Sequence, residues 1–204
     1  MVPAAVYRIE AFNMVIPQAT MDRAVQLLQD KRAADIKHVG GTLMPHLVGT
    51  SKLLEDWGNP PALCLAGLVH TAYGTDGYNG TFFDPMTQRA DLAAIIGDEA
   101  EAITYFYDSC DRKFLYPRVR NGEPLRFRNR YTQQESDPDP ALYAKFLELT
   151  FANELEIFRR VKMPPEQIEK WRRFFSATES QVSPGAAAFF RATLTQPRPW
   201  WKFW

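Results

Sequence analysis

The chain has three histidines, and the spacing of two of them could bring their rings together. His46 precedes Trp57 by eleven residues, and His70 follows Asn59 by eleven. If the two flanking segments form antiparallel helices, both imidazoles lie at the same level of the helix pair. Histidine exchanges protons near neutral pH, so this pair could act as a general acid and base.

The segments on either side of this point have the patterns of helices. An apolar stripe predicts a helix over 42–57, with Gly58 placed to end it. The next segment begins with Asn59 as a cap and two prolines suited to a first turn. Nearly every residue over 62–69 is apolar, so this helix should be buried on all sides with His70 at its end.

Further patterns predict that most of the remaining chain is helical. Apolar periodicity predicts one helix that begins near residue 20 and another that begins near residue 164. It also predicts helices over 89–96, 98–107, 137–161 and 184–194. The fold class expected is mostly α, as a single domain over 1–204 with a core at about 20–162 and a helical extension and tail at about 163–204.

The histidine-bearing segments resemble the HD superfamily of metal-dependent phosphohydrolases. They are most similar to the hydrolase half of the guanosine tetraphosphate (alarmone) enzymes, in which the same 24 residues separate the two histidines. Uncharacterised HD-like domains with the pattern Ala-Gly-Leu-x-His-x-x-Tyr-Gly-Thr are also similar, here at 66–75. The resemblance covers about 35–160 and is strong over 38–75. It implies an HD-type helical bundle and a metal held by two histidines and two aspartates.

The sequence departs from that pattern at each expected carboxylate. Thr71 follows the second histidine where the family has Asp, and Asn153 aligns with the later Asp. Gly74-Thr75 replaces the acidic pair that activates water in the family. Imidazoles with a hydroxyl and an amide leave a divalent cation uncompensated, so no cofactor is expected. If a metal is present, we expect His46 and His70 to be its ligands. The candidate metals are iron, manganese and zinc, and Asp76, Asp108 or Glu154 would supply the missing carboxylate ligand.

The pocket that remains predicts an acid/base reaction on a small anionic molecule. His70 is the expected base and His46 its partner or the acid. Tyr73 or Asn153 would orient the substrate, while His38 and Thr71 would contact it. Two alternatives stay open: a metal-dependent hydrolase or iron oxygenase with a rebuilt ligand set, and a non-catalytic binder of an anionic ligand or nucleotide. The histidines could also be polar core residues.

An arginine-rich stretch predicts a small inserted β-hairpin. Two alternating runs over 114–120 and 125–130 flank Asn121-Gly122, which favours a tight turn. Alternation would place Arg126, Arg128 and Arg130 on one face, opposite Arg118 and Arg120, as a clamp for a carboxylate or phosphate. The same arginines could instead protect a solvated sheet edge.

Composition limits the classes of partner. The 24 Lys and Arg residues balance 24 Asp and Glu residues, so general nucleic-acid binding is disfavoured. No apolar run approaches the length of a membrane span, and Cys64 and Cys110 lack metal-type spacing, which favours a cytoplasmic protein without membrane association. The tail over 199–204 contains four aromatic rings, and we expect it to cover an apolar groove, with a homodimer as one arrangement.

Overall fold

The computed structural model describes residues 16–76 and 80–195, and in these ranges the chain is mostly helical. The aromatic tail over 199–204 lies outside the described residues. The α-helices are α1 Gln18–Asp30, α2 Leu43–Asp56, α3 Pro61–Leu68, α4 Arg89–Ile96, α5 Asp98–Asp108, α6 Arg112–Asn121, α7 Pro140–Arg160, α8 Pro165–Thr178 and α9 Pro184–Phe190. The last is followed by a π-helical turn at Arg191–Thr195.

Helix α3 forms the centre of the core. It packs against α2, α5 and α7, and every residue over 63–68 is buried, as its apolar sequence predicts. Gly67 lets α2 approach closely, because a Cβ atom there would lie 2.5 Å from Cδ1 of Leu54. Gly58 has a φ of +79° and ends α2, so the short connection returns the chain beside it.

Two short antiparallel hairpins accompany the helices in the described ranges. Strands β1 Lys37–His38 and β2 Gly41–Thr42 pair directly before α2, with His38 opposite Gly41. Strands β3 Phe127–Arg128 and β4 Glu135–Ser136 pair before α7. The first hairpin places His38 next to the start of α2, where His46 lies.

The expected position of the arginine-rich hairpin was wrong. The first of its two runs belongs to helix α6, whose N-cap Asp111 accepts a hydrogen bond of 3.0 Å from the backbone N–H of Phe114. Gly122 has a φ of +66° and caps the C-terminus of α6 instead of turning a hairpin. Asn-Gly suits both a tight turn and a helix end, because each needs a residue in the left-handed region.

No helix in the part of the chain that the structure describes is both long and apolar enough to cross a membrane.

Candidate functional site

His46 and His70 meet in the interior, as their spacing predicts. Their Nε2 atoms are 3.3 Å apart and their ring planes are inclined by 80°. His46 lies in the first turn of α2, and His70 lies two residues beyond the end of α3. Their exposed fractions are 0% and 2%, so the pair is almost completely shielded from solvent.

The outer nitrogens of both rings are held by hydrogen-bond acceptors. Nδ1 of His46 donates to Oε2 of Glu156 at 2.5 Å, and Nδ1 of His70 donates to the carbonyl of Gly67 at 2.7 Å. We assign these tautomers from the hydrogen-bond network. Both Nε2 atoms then face each other and Oδ1 of Asn153, which lies 3.0 Å from Nε2 of His46. In these tautomers both Nε2 atoms are acceptors, so they are the positions at which the pair can take up a proton.

Glu156 is itself fixed from the far side. Its other oxygen accepts a short hydrogen bond from Arg160, one turn further along α7, and Arg160 also donates to the carbonyl of Pro45 at 2.6 Å. Gly49 makes room for this carboxylate, because a Cβ atom there would lie 2.7 Å from Oε1 of Glu156. Helix α7 thus reaches the His46 ring through a carboxylate whose charge is matched by a guanidinium.

The third histidine lies at the edge of the pair. His38 stacks on His46, with ring centroids 4.2 Å apart, and is half-buried. Burial, followed by the nearby His46, lowers the pKa of His38 to about 4. The same two causes lower the pKa of His70 well below its ordinary value. Near neutral pH both side chains are neutral, and Nε2 of His70 carries a lone pair.

Of the other residues expected in the pocket, Asn153 contacts His46, and Thr71 directly follows His70 in the chain. The amide of Asn153 donates to Oε1 of Glu154 at 2.9 Å and presents its oxygen to His46. Burial raises the pKa of Glu154 to about 7, against the opposing effects of Arg112 and Asn153. Thr71 is 3% exposed, and its hydroxyl has no hydrogen-bond partner among the described residues.

The structure does not bring the Tyr73 hydroxyl to the histidines. That hydroxyl donates to Oε1 of Glu101 at 2.8 Å, and Arg89 binds the same carboxylate through two hydrogen bonds of 2.7 Å. The backbone N–H of Tyr73 donates to Asp108. Tyr73 therefore belongs to a separate polar cluster with Glu101 and Arg89.

The expected cationic face is not formed either. Arg126 pairs with Asp137 at 2.8 Å, and Arg128 lies 3.4 Å from Glu135. Arg130 points inward and donates to the carbonyl of Gly74, in the loop after His70, at 2.8 Å. Arg118 and Arg120 lie on α6 instead of a facing strand. An open pocket of about 370 Å³ at β3 is lined by Arg118 and Arg128 but also by acidic residues that pair with them.

Sequence reasoning missed two residues of the site. Glu156 orients His46, and Arg112 lies over the Tyr107 ring, 4.6 Å from its centroid, while Tyr107 contacts His70 at 5.7 Å between ring centroids. Glu156 lies three residues after Asn153 on the same helix face, a spacing that could have indicated it. Nothing in the local sequence singles out Arg112.

The residues present do not fit a divalent metal ion. Oδ1 of Asn153, which contacts Nε2 of His46, carries no negative charge, and the charge of Glu156 is matched by Arg160. Among residues 16–76 and 80–195, no group of three or more His, Cys, Asp or Glu side chains is arranged to hold a metal. A divalent ion here would remain uncompensated in a buried position.

Comparisons with known proteins give a partial family match and one fold match. The model of DUF6817, a domain of unknown function, matches residues 27–112, a segment that is less than half of the chain and contains all three histidines and Arg112. No curated protein matches the sequence.

A solved structure of a metazoan ortholog of SpoT, described as hydrolysing ppGpp and playing a role in starvation responses, is similar in fold. The TM-score is 0.56 and the sequences are 8% identical, with 90% of this chain and 97% of that chain covered. At this identity the similarity shows the fold alone. The expected mostly helical, HD-type architecture is therefore confirmed.

Proposed function

We propose that this protein is an enzyme that carries out acid/base chemistry on a small anionic molecule at the His46–His70 pair. The single observation that supports this most is the 3.3 Å contact between the two Nε2 atoms, with both Nδ1 atoms already held. In such a pair each outer hydrogen bond fixes the tautomer, so only the inner nitrogens are left to exchange a proton.

His70 is the proposed base and His46 its partner. Because burial keeps His70 neutral, its Nε2 lone pair is present at neutral pH. Glu156 holds the orientation of His46 and would stabilise positive charge on its ring, and Oδ1 of Asn153 can accept from Nε2 of His46 once that nitrogen carries a proton. The inner nitrogens are thus the positions at which the pair would take a proton from a bound molecule and return it.

Burial sets a condition on this function. The rings of His46 and His70 are nearly inaccessible in this conformation, so turnover requires an opening beside them. The half-buried His38 stacks on His46 at one side of the pair. An active site closed in this way also excludes water from the reacting groups.

The test is a comparison of wild-type protein with His70→Gln on a panel of small carboxylates, phosphate esters and nucleotides, with products identified by mass spectrometry. We expect wild type to convert at least one compound and His70→Gln to lose that activity while its circular dichroism and Tm stay close to wild type. Equal turnover in the variant contradicts the assignment. Saturable binding without any product favours a non-catalytic binder instead.

A metal-dependent hydrolase is a second candidate despite the uncharged amide oxygen at the Nε2 atoms, because histidines that bind metals usually donate their other nitrogen to a carboxylate or carbonyl, as both do here. Elemental analysis of the purified protein separates the two proposals. One iron, manganese or zinc ion per chain that is lost in His46→Gln would favour the metal; metal far below one per chain favours the acid/base proposal.

A further inference from the structure

A second set of buried polar atoms lies next to the histidine pair, between α5, α6 and the end of α3. These atoms have no hydrogen-bond partner among the described residues: Oγ1 of Thr71, the hydroxyls of Tyr107 and Tyr116, Oδ1 of Asp108, and Nε and Nη2 of Arg112. Buried polar groups without partners are rare in folded proteins, and a cluster of them indicates a missing ligand.

The two unpartnered nitrogens of Arg112 lie on the same edge of its guanidinium. Their N–H bonds are parallel, which is the arrangement that binds two oxygens of one group. In the part of the chain that the structure describes, Arg112 forms no ion pair, and its guanidinium lies over the Tyr107 ring. A second cation in contact with α5, Arg130, is already bound to the carbonyls of Asp108 and Gly74.

Charge limits what this edge can bind. Arg112 supplies one positive charge, and burial raises the pKa of the nearby Asp108 and Glu154 carboxyl groups, which in their protonated forms leave that charge unbalanced. A dianion would add two negative charges opposite a single guanidinium, whereas a monoanion balances it. A carboxylate is the monoanion whose two coplanar oxygens match the free edge.

We infer that Arg112 forms a buried subsite for a small monocarboxylate, with the hydroxyls of Tyr107 and Tyr116 as further donors. Tyr107 contacts both the Arg112 guanidinium and the His70 ring, so a molecule held here lies beside the histidine pair. Assigning this carboxylate to the substrate rests on the proposed function; binding at the subsite does not.

The test measures binding without turnover. Tm is recorded against increasing acetate, propionate and inorganic phosphate, each at constant ionic strength set with chloride. For the wild type we expect saturable stabilisation by acetate and propionate and none by phosphate beyond the chloride control. Arg112→Met should abolish this effect, and Arg112→Lys, which keeps the charge without the paired edge, should weaken binding about tenfold or more. The control is Lys113→Met, since the neighbouring Lys113 side chain is 89% exposed.

Each result decides the inference. Absence of saturable carboxylate stabilisation in the wild type overturns it, as does unchanged affinity in Arg112→Lys. Tighter binding of phosphate overturns the ligand class. If Arg112→Met does not fold, Arg112→Lys decides alone. Failure of the proposed function is recognised separately, because His70→Gln would then keep turnover while carboxylate binding and its dependence on Arg112 remain.

Discussion

Oε2 of Glu156 lies 2.5 Å from Nδ1 of His46, although 110 residues separate them in the chain. Three members of one face of α7, Asn153, Glu156 and Arg160, meet the first turn of α2 around this contact. The carboxylate determines which nitrogen of His46 carries a proton, and thereby what Nε2 presents to His70.

Glu156→Gln should disturb the histidine pair. The amide removes the negative charge next to His46 and Arg160, so we expect turnover to fall at least about tenfold. The free energy of unfolding should fall by about 1 to 3 kcal/mol. Nitrogen-15 NMR of the histidine rings reads the tautomer of His46 directly. Glu169→Gln is the control, because its side chain is 55% exposed; an unchanged His46 tautomer in Glu156→Gln would contradict the role given to Glu156.

Glu154 should make stability depend on pH. Its pKa is about 7 in the folded protein, raised by burial from an ordinary 4.5. A carboxyl group with a raised pKa contributes its full stabilisation below about pH 4.5. The free energy of unfolding then falls as the pH rises to about 7, by up to about 1.4 kcal/mol per pH unit. Glu154→Gln lacks this loss, so its stability relative to wild type should increase between about pH 5 and pH 8.

Urea unfolding of both proteins across this range measures the difference. His70 has the opposite effect: its pKa is lowered, so its contribution to the free energy of unfolding is lost as the pH falls below 6.5. Both proteins contain His70, so this contribution cancels in the difference between them. The exposed Glu166 provides the control Glu166→Gln. Parallel stability curves for wild type and Glu154→Gln would show that the pKa of Glu154 is not raised in the folded protein.

Substitutions of Arg130 and Arg126 should differ sharply in their effect on stability, although both residues belong to the same arginine-rich stretch. Arg130→Met removes hydrogen bonds to the carbonyls of Asp108 and Gly74, so we expect a loss of about 2 kcal/mol and faster amide exchange in the loop after His70. Arg126→Met removes an exposed ion pair and should change stability by no more than about 0.5 kcal/mol. Similar losses in both variants would argue against the inward position of Arg130.

Gly67→Ala should separate α2 from α3. The added methyl group would lie 2.5 Å from Cδ1 of Leu54 and 3.4 Å from Cα of Ser51, so we expect a destabilisation of about 1 to 3 kcal/mol. A double-mutant cycle with Leu54→Ala, measured by urea unfolding, tests the contact. The second substitution makes space, so the combined loss should be smaller than the sum of the single losses. Additive losses would mean that the two groups do not collide.

Restoring two carboxylates should raise the affinity of the site for divalent metal ions. The double variant Thr71→Asp/Asn153→Asp adds negative charge next to His46 and His70, so Mn²⁺ or Zn²⁺ should raise its Tm, by the equivalent of about 2.7 kcal/mol at one hundred times Kd. The single variant Thr71→Asn, in which Asn153 is unchanged, is the uncharged control. Equal stabilisation of wild type by the same ions would show that the neutral donors already suffice.

Much of the helical fold is predictable from local signals. The all-apolar run over 62–69 and the prolines before it predict α3 and its burial, and Gly58 predicts the end of α2. Local signals predicted the wrong structure over 112–122: the Asn-Gly pair ends a helix there instead of turning a hairpin. A short alternating run does not distinguish strand from helix, and the N-cap Asp111 decided in favour of the helix.

The sequence by itself determined that His46 and His70 meet, because two equal helical spacings around one short connection leave little freedom. The tertiary structure alone decided what surrounds them: Glu156 against His46, Tyr73 turned to Glu101, Arg130 directed at backbone carbonyls, and Arg112 without a partner in the described ranges. These contacts join residues far apart in the chain, so they depend on how whole helices pack, and helix periodicity carries no information about that packing.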